Sequence, residues 1–184
     1  MKEMILGLAM SILAITILLT IGDLDQYKEQ RVRLKNVSEE VAAAAAQYKT
    51  LESYADGYLH FNQTEGNKAA NYTLQRHMNL NNTLVPQIPN YWINTPNIQY
   101  QITYIDYSNY TTYLTNPADT AVAFPKDYTF THFGETFTTV LFGPSVIVSI
   151  NAGKPNHRVG FLQDYVNADP GADVIEHGIH TLEE

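Results

Sequence analysis

Residues 4–21 read MILGLAMSILAITILLTI, an apolar run without a charge whose polar interruptions are Ser11, Thr16 and Thr20. A helix of that length, at about 1.5 Å per residue, comes close to the ~30 Å hydrocarbon core of a bilayer and satisfies its own backbone. Met1, Lys2 and Glu3 precede it, and no proline separates it from the stretch beginning at Gly22. A secretory signal closes on a small-residue cleavage site, and Thr20-Ile21-Gly22-Asp23 is a poor one, so the segment is expected to remain attached.

Working outward, Gly22 and Asp23 lead into a second pattern. Leu24, Tyr27, Arg31, Leu34, Val37, Val41, Ala44, Tyr48, Leu51, Ala55 and Tyr58 recur at spacings of three or four, a heptad stripe broken by Arg31. The residues between them are strong helix formers, among them the alanine run 42–46. The first proline is Pro86. The pattern predicts one helix over residues 3–60, bent at Gly22 if anywhere, on the order of 85 Å long. Its first third has no intramolecular partner in view and must face lipid or other copies of the chain.

From residue 61 the composition turns to Asn, Gln, Thr and Pro, a loop with a short helix near 69–78. Strands come next. Ile98, Tyr100, Ile102 and Tyr104 alternate with Gln99, Gln101 and Thr103. Residues 127–133 and 135–142 flank Gly134 as a hairpin, and 145–150 (SVIVSI) form a buried strand closed by the turn 151–155. Residues 158–162 are expected to return antiparallel to it. The fold class is α+β. A long helix (1–60, with 1–22 as the membrane or filament-core segment) packs on a small antiparallel β-rich domain (61–184).

The bulk numbers narrow the function. A net charge of −8 and a pI near 5.1 argue against a nucleic-acid partner. The absence of cysteine removes disulfides, zinc–thiolate centres, iron–sulfur clusters and thiol nucleophiles. No G-x-S-x-G, phosphate-loop, G-x-G-x-x-G or H-E-x-x-H motif occurs, so no catalytic or cofactor site is expected.

A short N-terminus, an apolar helix, a long amphipathic continuation and a β-rich C-terminal domain together resemble the type IV pilin-like superfamily. The helix is most similar to tight-adherence (Tad-type) pilin-like proteins, which carry an acidic residue near the end of the apolar segment and then an Ala-rich helix. Here that reads Ile21-Gly22-Asp23-Leu24-Asp25-Gln26-Tyr27, then Val41-Ala42-Ala43-Ala44-Ala45-Ala46-Gln47-Tyr48. The resemblance covers about the first third of the chain. The sequence departs from the pattern in lacking a Gly or Ala processing site before the apolar segment and in placing its first acidic residue at position 3. The resemblance implies a filament subunit whose apolar helices bundle in the core while the globular domains form the surface. The subunit interface would then comprise Glu3, Met4, Ile5, Leu6, Leu8, Ile12, Leu13, Ile15, Ile17, Leu18, Leu19 and Ile21. A carboxylate at Glu3 among apolar helices needs a partner, for which Lys2 or the N-terminal amine of a neighbour would serve; the plainer reading places Lys2 and Glu3 in the headgroup layer. Leu34, Val37, Val41, Ala44, Tyr48 and Leu51 would dock the helix on its own domain or a neighbour.

Other residue groups invite chemistry and carry a plainer reading. Glu176, His177 and His180 put metal-ligating types in the tail, where a solvated terminus explains them as well. Asn167, Asp169 and Asp173 place oxygens around a Pro-Gly turn, but without the spacing of a calcium loop, and an Asx turn accounts for them. Tyr91, Trp92, Tyr100, Tyr104, Tyr107, Tyr110 and Tyr113 suit either a sugar- or subunit-stacking platform or ordinary strand packing. Asn36, Asn62, Asn71, Asn81 and Asn109 head N-x-S/T sequons and are glycosylation candidates on an exposed domain.

Orientation signals conflict. Lys2 stands before the apolar segment and Lys28, Arg31, Arg33 and Lys35 after it, which by charge alone keeps the domain in the cytoplasm. The sequons and the tyrosine-rich, cysteine-free composition point outward, and outward is the reading adopted. The expectation is a structural subunit of an extracellular pilus-like filament serving surface adhesion. It would sit in the cytoplasmic membrane before assembly, with pilus-type assembly machinery and copies of itself as partners. The alternative is a monomeric membrane-anchored adhesin or ligand-binding module using residues 91–113. A third reading is an anchored enzyme with a metal held by the C-terminal acidic and histidine residues.

Overall fold

The apolar run and the heptad pattern form one element. In the computed structural model, which describes residues 2–51, 59–88, 91–92, 97–106, 125–169, 171 and 173–182, helix α1 spans Lys2–Ala46 without interruption. Its 45 residues reach about 68 Å. Its first half carries no buried side chain before Asp23. Its second half buries Leu34, Val37, Val41, Ala42, Ala45 and Ala46.

The helix stops at Ala46, short of the expected residue 60. A pairing with distant chain takes over there. Lys49 bridges Phe61, the Thr50 N–H donates to the His60 carbonyl (2.9 Å), and the Asn62 N–H donates to the Tyr48 carbonyl (2.9 Å). These bonds hold residues 48–50 extended, so local helix propensity yields to tertiary pairing. Tyr48 and Leu51 therefore leave the docking stripe; Leu51 is 88 % exposed. Ala55 and Tyr58 lie outside the described residues.

Helix α2 spans Gln63–Met78, starting earlier than expected because Asn62 caps it. The Asn62 Oδ1 accepts the Glu65 N–H at 3.2 Å. Asn79, with φ 53°, closes it in the left-handed conformation.

The described residues then form five strands: β1 Gln99–Ile105, β2 Lys126–His132, β3 Glu135–Leu141, β4 Ser145–Asn151 and β5 Ile175–Thr181. β4 is the centre of an antiparallel sheet ordered β1–β4–β5, and β2–β3 form a separate hairpin. The hairpin turns on Phe133 (φ 53°) and Gly134 (φ 82°), both positive as a two-residue type I′ turn requires. Residues 158–162, expected as the return strand, instead enter a short helix α3 at Gly160–Ala168. The return strand is β5, in the stretch expected as a solvated tail. Its residues Ile175, His177 and Ile179 alternate with Glu176, Gly178 and His180, a period-2 pattern masked by polar types.

The pleat of β4 divides two cores. Val146, Val148 and Ile150 face α1 and α2 with Leu34, Val41, Ala70, Leu74, Trp92 and Tyr104. Ile147 faces the hairpin with Ile105, Phe130 and Leu141. The layers run helices, sheet, hairpin. Gly178 lets them close: a Cβ there would collide with the backbone of Ser38 and Glu39, so α1 crosses β5 at a distance only glycine permits.

Candidate functional site

Two surfaces meet where α1 leaves its apolar segment. Between Met4 and Ile21 the twelve large hydrophobic side chains are 50–83 % exposed. The polar side chains of this segment turn inward on the helix itself. Ser11 Oγ donates to the Gly7 carbonyl (2.9 Å), Thr16 Oγ1 to Ile12 (2.9 Å) and Thr20 Oγ1 to Thr16 (2.8 Å). A helix dressed this way offers a surrounding apolar phase no unpaired hydroxyl. All the interface residues expected from the sequence lie on this bare stretch, with Glu3 in its first turn.

Two residues past Ile21 the environment reverses. Asp23 is only 4 % exposed. One of its oxygens, Oδ2, accepts the backbone N–H groups of Arg158 (2.8 Å) and Val159 (2.9 Å), immediately before α3. A buried carboxylate is tolerated when charge-assisted bonds and the positive end of a helix meet it. The opposite end of α3 is closed by Lys154, whose Nζ donates to the carbonyls of Val166 (3.2 Å), Asn167 (3.3 Å) and Asp169 (2.8 Å). A carboxylate at the start and an ammonium at the end both complement the helix dipole. Spacing does not reveal the Asp23 role because its partners lie 135 and 136 residues away, nor the Lys154 role because its acceptors are backbone carbonyls.

Around this junction, Tyr27 packs on His157 (ring centroids 6.0 Å) and His157 on Tyr91 (6.2 Å). Tyr91 is pushed up to about 12, first by burial, then by the charges of Asp23 and Tyr27. Arg31, the break in the heptad, leaves the stripe to pair with Glu176, its Nε donating to Oε1 at 2.6 Å. That bond raises the guanidinium above its ordinary value.

The metal candidates do not converge. Glu176 is committed to Arg31, while His177 packs against Phe137 (4.8 Å) and Phe130 (6.0 Å) on the hairpin side of β5. His180 lies on the helix side of β5, in register with Val146. Asp169 Oδ1 accepts the Gly171 N–H (2.8 Å), the expected Asx turn, and Asp173 Oδ2 accepts from Asn151 (3.3 Å). Asn167 accepts from Gln163 at 3.0 Å. Among the described residues no group of three or more His, Cys, Asp or Glu side chains could hold a metal ion.

A polar network does appear where none was expected, between the sheet and the hairpin. His132 is 5 % exposed; its Nδ1 meets Ser149 Oγ at 2.6 Å and its Nε2 meets Thr103 Oγ1 at 2.8 Å. Burial, and then His177, push the His132 pKa down from its ordinary value. With both nitrogens occupied inside the packing, His132 ties the layers together.

Of the aromatic group, Tyr91, Trp92 and Tyr104 are buried and Tyr100 half-buried, so these four serve packing rather than an open platform. Tyr107, Tyr110 and Tyr113 lie outside the described residues. Among the sequons, Asn36 is exposed on α1, but its Ser38 is fully buried and bonded to the Lys35 carbonyl (2.7 Å). Asn62 caps α2, and Asn71 sits within it, accepting from Gln75 at 3.1 Å. Asn81 makes a surface turn in which Oδ1 accepts from Thr83 N (2.9 Å), Thr83 Oγ1 (2.7 Å) and Val85 N (2.9 Å). Asn109 lies outside the described residues.

A hollow of about 50 Å³ beside Leu34, Met78 and Trp92 is too small for an organic ligand, since such sites run to hundreds of Å³. No family model, curated protein or solved structure matches the chain.

Proposed function

We propose that the chain is a structural subunit of an extracellular pilus-like filament, resident in the cytoplasmic membrane before assembly and polymerising through residues 4–21. The observation that carries this reading is the bare half of α1: an 18-residue window of mean hydropathy 2.6 with none of it buried. Twelve large apolar side chains left in water would cost on the order of 15 kcal/mol, as much as or more than a domain of this kind has in stability. Bilayer or sister helices must cover them.

The geometry favours a polymer as the final state. The stalk projects from one end of a domain that is already packed through the other half of the same helix. A stalk inserted among stalks of other subunits makes a head-to-tail contact that need not close, and unclosed contacts of this kind build helical filaments. Small residues Gly7, Ala9, Ser11 and Ala14 interrupt the large ones and allow close helix approach. The globular domain, with its acidic and Thr- and Asn-rich surface, would form the outer wall and carry adhesion.

The test is electron microscopy of material sheared from the cell surface. Filaments containing this chain are expected. Recovery of the chain solely as a detergent-soluble monomer would favour an anchored binding domain and end the filament reading.

A further inference from the structure

Helix α3 is nine residues long, has no buried residue, and is nonetheless fixed at both ends by charged side chains. Two of its aromatics point away from the protein: Phe161 is 56 % exposed and Tyr165 73 % exposed. They are four residues apart and so lie one above the other on a single face. The inner face carries the half-buried Leu162 and Val166. A short helix held this firmly while showing two rings to solvent has a use for those rings.

Its position says what that use is. Asp23 stands two residues, about 3 Å along the axis, beyond Ile21, where the apolar run ends. The same carboxylate holds the Val159 N–H. Phe161 comes two residues later, so the path from Ile21 through the Asp23 side chain and its hydrogen bond keeps the Phe161 backbone within about 20 Å of the end of the span. Tyr165 is one helical turn on, about 6 Å further. The headgroup and interfacial layer is several Å deep on each side of the hydrocarbon, and aromatic rings concentrate there.

We infer that α3 is an interfacial helix, with Phe161 and Tyr165 seated in the headgroup–acyl boundary of the bilayer that residues 4–21 cross. Arg158, exposed at the α3 entrance, adds a cation for lipid phosphate. The Asp23 clamp then sets the depth of the domain against the membrane: the span enters and α3 lies on the surface as a stop. The inference rests on the membrane-resident state of the proposed function.

The chain has no native cysteine, so single sites can be spin-labelled in the full-length protein. Phe161→Cys, Tyr165→Cys, Ile12→Cys and Thr138→Cys are labelled and reconstituted in phosphatidylcholine vesicles. Collision rates with oxygen and with a water-soluble nickel chelate are then measured. The labels at 161, 165 and 12 are expected to favour oxygen over nickel several-fold relative to the label at 138 on the exposed hairpin. A water-like ratio at 161 and 165 with a lipid-like ratio at 12 would overturn the interfacial helix and leave the span intact. Water-like ratios at all sites would overturn both. Spin–spin broadening at 161 that disappears on dilution with unlabelled chain would put a second copy on this face and also overturn the inference.

Discussion

The two halves of α1 are made of similar residues and meet opposite fates. Ile12 is 57 % exposed and Leu34 is 1 % exposed, though both are large aliphatics on the same continuous helix. The difference lies in what the rest of the chain supplies. The second half has β4, β5 and α2 laid across it, so its stripe is consumed inside the protein. The first half is apolar all round, and such a helix needs a medium rather than a partner face. Asp23 marks the change, a carboxylate that is buried because the packing of the protein on itself begins there.

The strongest way to break this division is at Gly178. Gly178→Val in the full-length chain should displace α1 from β5 and cost more than about 4 kcal/mol, because backbone rather than a flexible side chain occupies the space. Thermal unfolding of the detergent-solubilised protein by circular dichroism reads it; an unchanged midpoint would mean that the second half of α1 is not docked as described.

A matched pair of truncations sharpens the contrast. Leu34→Ala should cost about 3 kcal/mol, within the range for buried leucines, whereas Ile12→Ala in the same detergent should change domain stability by less than about 0.5 kcal/mol. Equal losses at the two sites would erase the distinction between the halves.

The legibility of the sequence divides along the same line. Residues 4–21 and the alternation in β1 declare themselves because hydrophobic periodicity is local. The hairpin at Gly134 does so because turn chemistry is local as well. The end of α1 does not. Tyr48 and Leu51 continue the heptad faultlessly, and it is the pairing of residues 48–50 with 60–62 that ends it. The β5 strand hides behind Glu176, His177 and His180, polar residues that are half-buried; Arg31 receives the first and the hairpin rings the second. The clamp on α3 joins Asp23 to residues near 158, a pairing that spacing cannot reveal.

At the boundary between the halves, Asp23→Ala should cost about 2 kcal/mol, since two N–H groups lose a charged acceptor. Limited proteolysis should then cut within residues 158–169 several times faster than in the wild type. Unaltered cleavage would mean that the carboxylate does not hold α3.

The smallest expected effect belongs to the layer farthest from α1. His132 is kept neutral by burial, so the unfolded chain takes a proton that the folded one resists. Stability is therefore complete above about pH 6.5. It declines as pH falls below that value toward the depressed folded pKa, by at most about 1.4 kcal/mol per pH unit. Melting temperatures between pH 8 and pH 5 should show this slope, and His132→Gln should flatten it. An identical slope in the variant would assign the dependence to another group.

On the proposed function, other copies of the chain cover the bare half of α1 in the assembled state. Ile12→Asp sets a charge in that surface at a cost of about 3 kcal/mol per subunit on insertion scales, while leaving the docked half untouched. Sheared surface material from cells making this variant, viewed by electron microscopy, should contain no filaments, although the purified variant melts like the wild type. Filaments of normal appearance built from the Ile12→Asp chain would mean that residues 4–21 do not form the core of the assembly.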